Sequence, residues 1–199
     1  MTLLKIMFEK VYQKIMSQLE NSLPSWLHYH SPEHTRYVLD KAILIAGKEN
    51  VSDEDLLLLK IAAVYHDSGF LISPKNHEKL GCQIAGNELQ EFDLDALQIK
   101  KICGMIMATR IPQKPKTFLE KILADADLEY LGTKKFEEFG NLLYQERLHF
   151  HPEMSLEEWN EIQIDFMSNH RYHTNFCKEH RQPKKMANLE KIKRAVDSE

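Results

Sequence analysis

The chain has 199 residues, of which 43% are hydrophobic and 28% charged, and its formal net charge is −4. That length allows one domain with a substantial core, and the composition is ordinary for a globular protein. The slightly acidic balance argues against a general nucleic-acid-binding surface, so we expect no nucleic-acid partner. The charged N-terminal segment lacks a signal-peptide core and no apolar run approaches a bilayer span, so we expect no membrane partner.

The three cysteines are far apart in the sequence, at Cys82, Cys103 and Cys177, and they form no CxxC pair. This spacing indicates neither a zinc ribbon nor a disulfide scaffold. Because free thiols suit a reducing compartment, we expect a cytoplasmic protein.

Helical spacing of apolar residues runs through almost the whole chain, whereas strand signals are nearly absent. The pattern predicts helices over about residues 3–20, 33–47, 56–65, 76–89, 95–109, 118–131, a stretch after Thr133, 155–177 and 183–197. Three residue pairs resemble the capping pairs that start helices: Ser52 with Asp55, Thr117 with Glu120, and Ser155 with Glu158. We therefore predict an all-α fold in a single domain that spans residues 1–199.

An adjacent histidine and aspartate, His66 and Asp67, end a predicted helix that is apolar on nearly all sides. Such a helix is usually central, so both side chains are expected near buried surface. An unpaired buried carboxylate is costly, and a divalent cation offsets that cost because it accepts imidazole nitrogen and carboxylate oxygen together. The pair therefore predicts a metal site, against the alternative of a hydrogen-bonded core pair.

Other helices must supply the remaining ligands, and the candidates are His34 and one aspartate of the pair Asp125 and Asp127. Two residues along a helix differ by about 200° in direction, so the two aspartates are not expected to bind the same ion. Imidazole and carboxylate donors without thiolate favour Mn, Fe, Co, Ni or Zn, and Mg stays open. A divalent metal ion is therefore the predicted cofactor.

The order His34, His66-Asp67, Asp127 resembles the H…HD…D signature of the HD-domain superfamily of metal-dependent phosphohydrolases. The surrounding segments, which begin at residues 29, 62 and 122, read YHSPEHT, AAVYHDSGF and ILADADLEYLG. The chain is similar in these segments to small bacterial predicted phosphohydrolases. The resemblance implies that His34, His66, Asp67 and Asp127 are the metal ligands.

The resemblance covers about residues 25–135 and implies an HD-type helical bundle there. In this interpretation, the helix over 3–20 precedes the HD core and residues 136–199 form a C-terminal helical extension. The last ligand of the superfamily lies in an Ala-Asp pair before an apolar helical segment, which favours Asp127. Asp125 is then a carboxylate that orients a ligand histidine, or the alternative ligand.

His30 lies four residues before His34, a spacing similar to that of cyclic-nucleotide phosphodiesterases, distant relatives of the superfamily. This resemblance implies that His30 is the general acid that protonates the leaving oxygen, a task that suits a group with a pKa near working pH. A loop histidine with no catalytic role is the alternative.

His77 and Glu78 follow the HD pair by about ten residues. In dinuclear members of the superfamily, extra histidines here and near residues 105–110 hold a second metal, but residues 105–110 contain no histidine. We therefore expect one metal per site, with His77 and Glu78 in catalytic positions that orient water or substrate. The helix dipole alone is the alternative explanation for Glu78.

Two basic groups are candidates for binding the phosphate of a substrate, Arg110 and Lys114, and Arg is the better bidentate partner. A solvated loop is the alternative for both. The most basic segment, residues 171–185, is expected to be a basic helix surface. The alternative is that it reaches over the pocket and binds a nucleotide phosphate, with Tyr172 or Phe176 stacking on a base.

Together these features predict a metal-dependent phosphohydrolase in which metal-activated water cleaves a phosphate ester, a phosphomonoester or a phosphodiester, of a nucleotide or related small molecule. A homodimer is compatible with the sequence. The alternative is a non-catalytic HD-type module that binds a nucleotide or a metal and acts in sensing or regulation. A metal-dependent oxygenase on the same scaffold generally needs a dinuclear iron site, which the missing histidine disfavours.

Overall fold

A computed structural model describes residues 3–196, and every regular element within that range is helical. The α-helices are α1 (Leu3–Ser22), α2 (Pro32–Lys48), α3 (Asp53–Tyr65), α4 (His77–Glu88), α5 (Ala96–Ala108), α6 (Phe118–Asp127), α7 (Phe136–Phe150), α8 (Leu156–Asn169), α9 (Asn175–His180) and α10 (Gln182–Val196). Short 3-10 turns cover Ser68–Leu71, Leu89–Phe92 and Glu129–Gly132. The predicted all-α fold is confirmed. None of these helices combines the length and apolar character that crossing a bilayer requires.

The predicted capping pairs begin three of the helices. The Ser52 hydroxyl accepts a hydrogen bond from the backbone N–H of Asp55 at the start of α3. Reciprocal capping boxes start α6, between Thr117 and Glu120, and α8, between Ser155 and Glu158. Each box satisfies backbone donors that the first helical turn leaves without an intrahelical partner, so the sequence sets these boundaries locally.

Helix α3 lies at the centre of the molecule and packs against α1, α2, α5 and α6. Its side chains are buried around the whole circumference, and Leu59, Ile61 and Val64 have no exposed surface. An all-round apolar helix can bury its surface only as the core of a bundle. The end of α3 consequently delivers His66 and Asp67 into the protein interior.

The helix predicted to extend to Leu131 ends earlier, at Asp127, and the 3-10 turn Glu129–Gly132 follows. The buried Glu129 carboxylate accepts a hydrogen bond from the Tyr37 hydroxyl and pairs with the Arg181 guanidinium. These partners lie far away in the sequence. Tertiary contacts therefore override the local helical pattern.

The prediction of one helix over residues 155–177 is wrong. Helix α8 ends at Asn169, and His170 adopts an extended conformation. The Asp125 carboxylate accepts hydrogen bonds from the backbone N–H groups of His173 and Thr174, both at 2.8 Å, and from the Thr174 hydroxyl at 2.6 Å. This anchor holds the chain extended before α9 begins.

The C-terminal extension packs on the rest of the molecule through a second apolar cluster. Phe136, Phe139, Met167 and Leu189 from the extension join Tyr29 there. The Tyr29 ring also stands 4.4 Å from the His34 ring, measured between centroids. The extension therefore reaches the neighbourhood of the predicted metal ligands.

The basic segment 171–185 is not simply the surface that we expected. Lys185 is fully buried, and Tyr172 is buried as well. The Tyr172 hydroxyl donates to the backbone carbonyls of Leu128 and Glu129. Part of this segment therefore holds the extension against the end of α6.

Candidate metal centre

Three helices bring the predicted ligands together. His34 lies in the first turn of α2, His66 and Asp67 directly follow α3, and Asp127 is the last residue of α6. The Nε2 atoms of the two histidines are 3.3 Å apart. Asp127 Oδ1 is 3.1 Å from His34 Nε2 and 3.6 Å from His66 Nε2. One ligand atom from each of these three residues lies within 4.8 Å of the others, a spacing that can hold a metal ion.

Asp67 is the fourth predicted ligand, and it also lies against the two histidines. Its Oδ2 is 3.0 Å from His66 Nε2 and 3.5 Å from His34 Nε2. Among the described residues this buried oxygen has no hydrogen-bond partner of good geometry. Burying a carboxylate oxygen without a partner is costly, and a cation at the centre of the cluster removes that cost. The buried donor set therefore fits a divalent metal.

The orientation of His66 also fits metal binding. Its Nδ1 is 2.8 Å from the backbone carbonyl of Ala63 and donates a hydrogen bond to it. In the neutral ring the lone pair is then on Nε2, which faces the cluster. Metal-binding imidazoles are commonly oriented in this way by an acceptor on their other nitrogen.

The cluster favours a positive charge at its centre. Burial lowers the pKa of His66, but the carboxylates of Asp67 and Asp127 outweigh burial and hold this pKa well above its usual range. Burial raises the pKa of Asp127, but hydrogen bonds from His34 and His66 bring it down to about 2. A divalent cation at the centre of the cluster would supply positive charge in place of the proton on His66.

His30 lies beside the cluster and is held by Glu146 of α7. His30 Nδ1 is 2.5 Å from Glu146 Oε1, and the other carboxylate oxygen accepts the backbone N–H groups of Tyr29 and His30. Burial lowers the pKa of His30, but the hydrogen bond to Glu146 and the negative charges of Asp67, Glu146 and Asp127 together outweigh it, and the net shift is upward. The geometry leaves Nε2 as the ring nitrogen available to a substrate.

His77 and Glu78 approach the cluster from the first turn of α4. His77 Nε2 is 3.6 Å from Asp67 Oδ1 and 3.6 Å from Glu78 Oε1. The Phe70 ring stacks at 4.2 Å, centroid to centroid, on both His30 and His77. These contacts position both histidines beside the predicted metal ligands.

A pocket of about 410 Å³, here called the site pocket, opens beside these residues. Its lining includes the predicted site residues His30, Asp67, His77, Glu78, Asp127 and Arg110. Other lining side chains come from the C-terminal extension: Phe136, Arg147, Trp159, Gln163 and Phe166. The pocket is within the usual size range of small-molecule sites and combines two arginines with an apolar wall.

Residues 33–129 match the family model described as HD domain. This segment of the chain matches an HD domain. The matched segment contains all four predicted ligands. No curated protein matches the chain.

A solved structure agrees with this fold over the whole chain. The crystal structure of a predicted HD superfamily hydrolase from an uncultured Thermotogales bacterium matches with a TM-score of 0.62. The match covers 100% of this chain and 99% of that chain at 19% sequence identity. At this identity the likeness establishes the fold, including that of the C-terminal extension.

Asp125 does not join the cluster of the HD domain. Within the described part of the chain, its carboxylate accepts hydrogen bonds from residues 173 and 174. Its direction along α6 explains this, because Asp125 and Asp127 point to different sides of the helix. The structure therefore supports neither the role of alternative ligand nor that of partner to a ligand histidine.

Arg110 and Lys114 have different positions. Arg110 lines the site pocket, whereas Lys114 lines a shallower neighbouring pocket at the surface with Arg110. Of the two, only Arg110 lines the pocket that also includes the predicted ligands Asp67 and Asp127. Lys114 is accordingly not placed where it can contact a phosphate in the site pocket.

Glu146 and Arg147 were not identified from the sequence. Both lie on α7, outside the matched HD domain. The apolar stripe Phe139, Leu142 and Leu143 continues in helical spacing to Glu146, so an acid interrupts a buried face. That interruption was the available signal for Glu146, whereas no pattern marks Arg147.

Proposed function

We propose that this protein hydrolyses a phosphate ester of a nucleotide or related small molecule, with one divalent metal ion held by His34, His66, Asp67 and Asp127. The observation that carries the proposal is the position of this buried donor set at a pocket that also presents two arginines. Such a pocket suits a phosphate, because guanidinium groups bind phosphate oxygens bidentately.

When bound, the metal would polarise a phosphoryl oxygen and lower the pKa of water. Arg110 and Arg147 would bind the remaining phosphate oxygens and stabilise charge that develops in the transition state. His30 would protonate the leaving oxygen through Nε2, because Glu146 occupies Nδ1. His77 and Glu78 would orient water or the phosphate beside Asp67.

The organic part of the substrate would lie against the C-terminal extension. Phe136, Trp159 and Phe166 line that side of the site pocket, and Gln163 adds an amide among them. Aromatic walls with a single hydrogen-bonding side chain suit a flat ring such as a nucleobase. This arrangement supports a nucleotide-like substrate over inorganic phosphate compounds.

The test is a nucleotide panel of monoesters and diesters, assayed for phosphate or nucleoside release with Mn, Co, Ni, Zn and Mg supplied in turn. We expect hydrolysis by the wild type, and a loss of at least a hundredfold in His66→Ala and Asp67→Ala, because each substitution removes a ligand and leaves buried charge unpaired. His151→Ala, an exposed histidine on the C-terminal side of α7, is the matched control and should retain activity.

Hydrolysis retained in His66→Ala would refute the proposal. Nucleotide binding by the wild type without turnover under any metal would instead favour the alternative of a sensing or regulatory module.

A further inference from the structure

Two cysteines face each other where helices α4 and α5 pack together. Cys82 Sγ lies 3.4 Å from the backbone carbonyl oxygen of Cys103, and Cys103 Sγ lies 3.6 Å from that of Cys82. The Cys82 thiol also donates a hydrogen bond to the Cys103 side chain. These reciprocal contacts bring the two sulfur atoms together between the helices, although the residues lie 21 positions apart in the chain.

The environment of this pair suits chemistry at sulfur better than metal binding. Both cysteines are partly exposed to solvent, so a small oxidant approaches them more readily than it approaches Cys177, which is fully buried. In the described part of the chain, the group of at least three possible metal ligands lies at His34, His66 and Asp127. Two thiols without further ligands do not form a zinc site, because such sites take three or four protein ligands.

The two thiols differ in acidity, and this difference decides which one reacts first. The hydrogen bond from Cys82 lowers the pKa of Cys103 and outweighs burial, which acts in the opposite direction. The same hydrogen bond raises the pKa of Cys82, and burial and the negative charge of Glu78 raise it further. Because the thiolate is the nucleophilic form, Cys103 is the first of the two to attack an oxidant.

The pair also joins two helices that border the site pocket. Glu78 lies one turn before Cys82 on α4, and the chain continues from Cys103 through the end of α5 to Arg110. Both Glu78 and Arg110 line the site pocket. A covalent bond between the two cysteines would therefore restrain one side of this pocket.

We propose that Cys82 and Cys103 form a redox modification site, which hydrogen peroxide converts into a reversible disulfide. The Cys103 thiolate attacks one peroxide oxygen, the O–O bond breaks, and the released hydroxide takes a proton to become water. Cys103 is then a sulfenic acid. The Cys82 sulfur attacks the Cys103 sulfur, and the S–O bond breaks as the S–S bond forms. The proton of the Cys82 thiol leaves with the hydroxyl group as a second water molecule, so two thiols are oxidised and one peroxide is reduced. The proposal does not depend on hydrolysis in the site pocket.

The test uses the full-length protein, which is treated with hydrogen peroxide, digested under non-reducing conditions and mapped by mass spectrometry. We expect two wild-type peptides joined through Cys82 and Cys103, which separate after treatment with dithiothreitol, while Cys177 stays a free thiol. In Cys82→Ser the hydroxyl can still donate to Cys103, so Cys103 should stop at the sulfenic acid and be labelled by dimedone. Cys177→Ala is the matched control and should form the same disulfide as the wild type.

Three results would overturn the proposal. They are the absence of this disulfide in peroxide-treated wild type, a disulfide that involves Cys177 or joins two chains, and dimedone labelling of Cys82 in Cys103→Ser as fast as that of Cys103 in Cys82→Ser. If a variant fails to fold, the peptide map of the wild type decides alone.

Amide hydrogen exchange tests the restraint on the two helices. Exchange in α4 and α5 should slow about fivefold or more in the oxidised protein and return to its original rate after reduction, because the cross-link opposes local opening. Exchange that stays the same after oxidation would contradict this restraint.

Discussion

At the residue scale, hydrogen bonds with neighbouring groups fix the orientation of two site histidines. Ala63 fixes the ring of His66 through its carbonyl group, and Glu146 fixes the ring of His30. Asp67 has a buried oxygen that no described residue satisfies. The fixed ring of His66 and the unsatisfied oxygen of Asp67 face one buried centre, the arrangement that a metal requires.

Glu146 should control the pH dependence of hydrolysis through His30. The pKa of His30 is raised with Glu146 present, and the general acid must be protonated to act. Glu146→Gln removes the carboxylate charge, so this pKa should fall and activity should be lost at a lower pH. The alkaline limb of kcat/KM should therefore move to lower pH.

The control for this measurement is Glu138→Gln, an exposed position on the same helix α7, which should leave the pH profile unchanged. An alkaline limb that stays in place in Glu146→Gln would show that His30 does not act as the acid.

Asp125 should be important for stability and not for metal binding. Asp125→Ala leaves three donors at His173 and Thr174 without their acceptor. We expect a loss of about 3 kcal/mol in the free energy of unfolding, because each orphaned donor is costly. Hydrogen exchange at the two backbone amides should become faster, while metal content under conditions where the variant is folded stays at the wild-type level.

Asp40→Ala, at an exposed position of α2, is the control and should change the free energy of unfolding by less than about 0.5 kcal/mol. Loss of metal from folded Asp125→Ala protein would mean that this residue is a ligand after all.

At the scale of elements, the turn after α3 positions α4 against the site. A Cβ atom on Gly69 would lie 1.9 Å from the backbone carbonyl oxygen of His77, a contact that no side chain can tolerate. The absence of a side chain at this position lets the turn Ser68–Leu71 pack directly on the start of α4. His77 and Glu78 are placed beside Asp67 as a result.

Gly69→Ala should therefore disturb both stability and the site. Because the clash involves backbone atoms, we expect a loss of about 3 kcal/mol or more, measured by denaturant unfolding. Gly86→Ala within α4 is the matched control, since nothing lies within 4 Å of its Cβ position. That variant should gain about 0.5–1 kcal/mol from the better helix propensity of alanine.

A Gly69→Ala protein as stable as the wild type would show that the close approach of the turn to α4 is not required.

At the scale of the whole molecule, the C-terminal extension completes the site of the HD domain. It contributes Glu146 beside His30, and it contributes Arg147 and the aromatic wall of the site pocket. The 3-10 turn Glu129–Gly132 and helix α10 pack together and hold this extension in place. The site pocket therefore lies between the matched HD domain, residues 33–129, and the C-terminal extension.

Arg147 should contribute to substrate binding from this extension. Arg147→Ala removes a guanidinium from the site pocket, and hydrogen bonds to charged groups contribute about 1.5–3 kcal/mol. We expect KM for a phosphate ester to rise roughly tenfold or more, whereas Lys116→Ala on an exposed loop leaves KM unchanged. An unchanged kcat/KM in Arg147→Ala would remove this residue from the account.

The sequence predicted those parts of the molecule that depend on local chemistry. Helix starts followed from capping pairs, and the central position of α3 followed from its apolar circumference. The break between α8 and α9 could not be predicted, because Asp125 enforces it from about 50 positions away in the chain. Arg147 was missed for the related reason that only tertiary packing gives it a place in the site pocket.

The central claim is that His34, His66, Asp67 and Asp127 hold one divalent metal ion, and elemental analysis of the purified protein tests it most directly. The protein is incubated with Mn, Co, Ni, Zn or Mg, desalted and measured against the same preparations of His66→Ala, Asp127→Ala and His151→Ala. We predict about one bound ion per chain in the wild type and in His151→Ala, and almost none in the other two variants. A full equivalent of metal in folded His66→Ala or Asp127→Ala, or no metal in the wild type, would contradict the account.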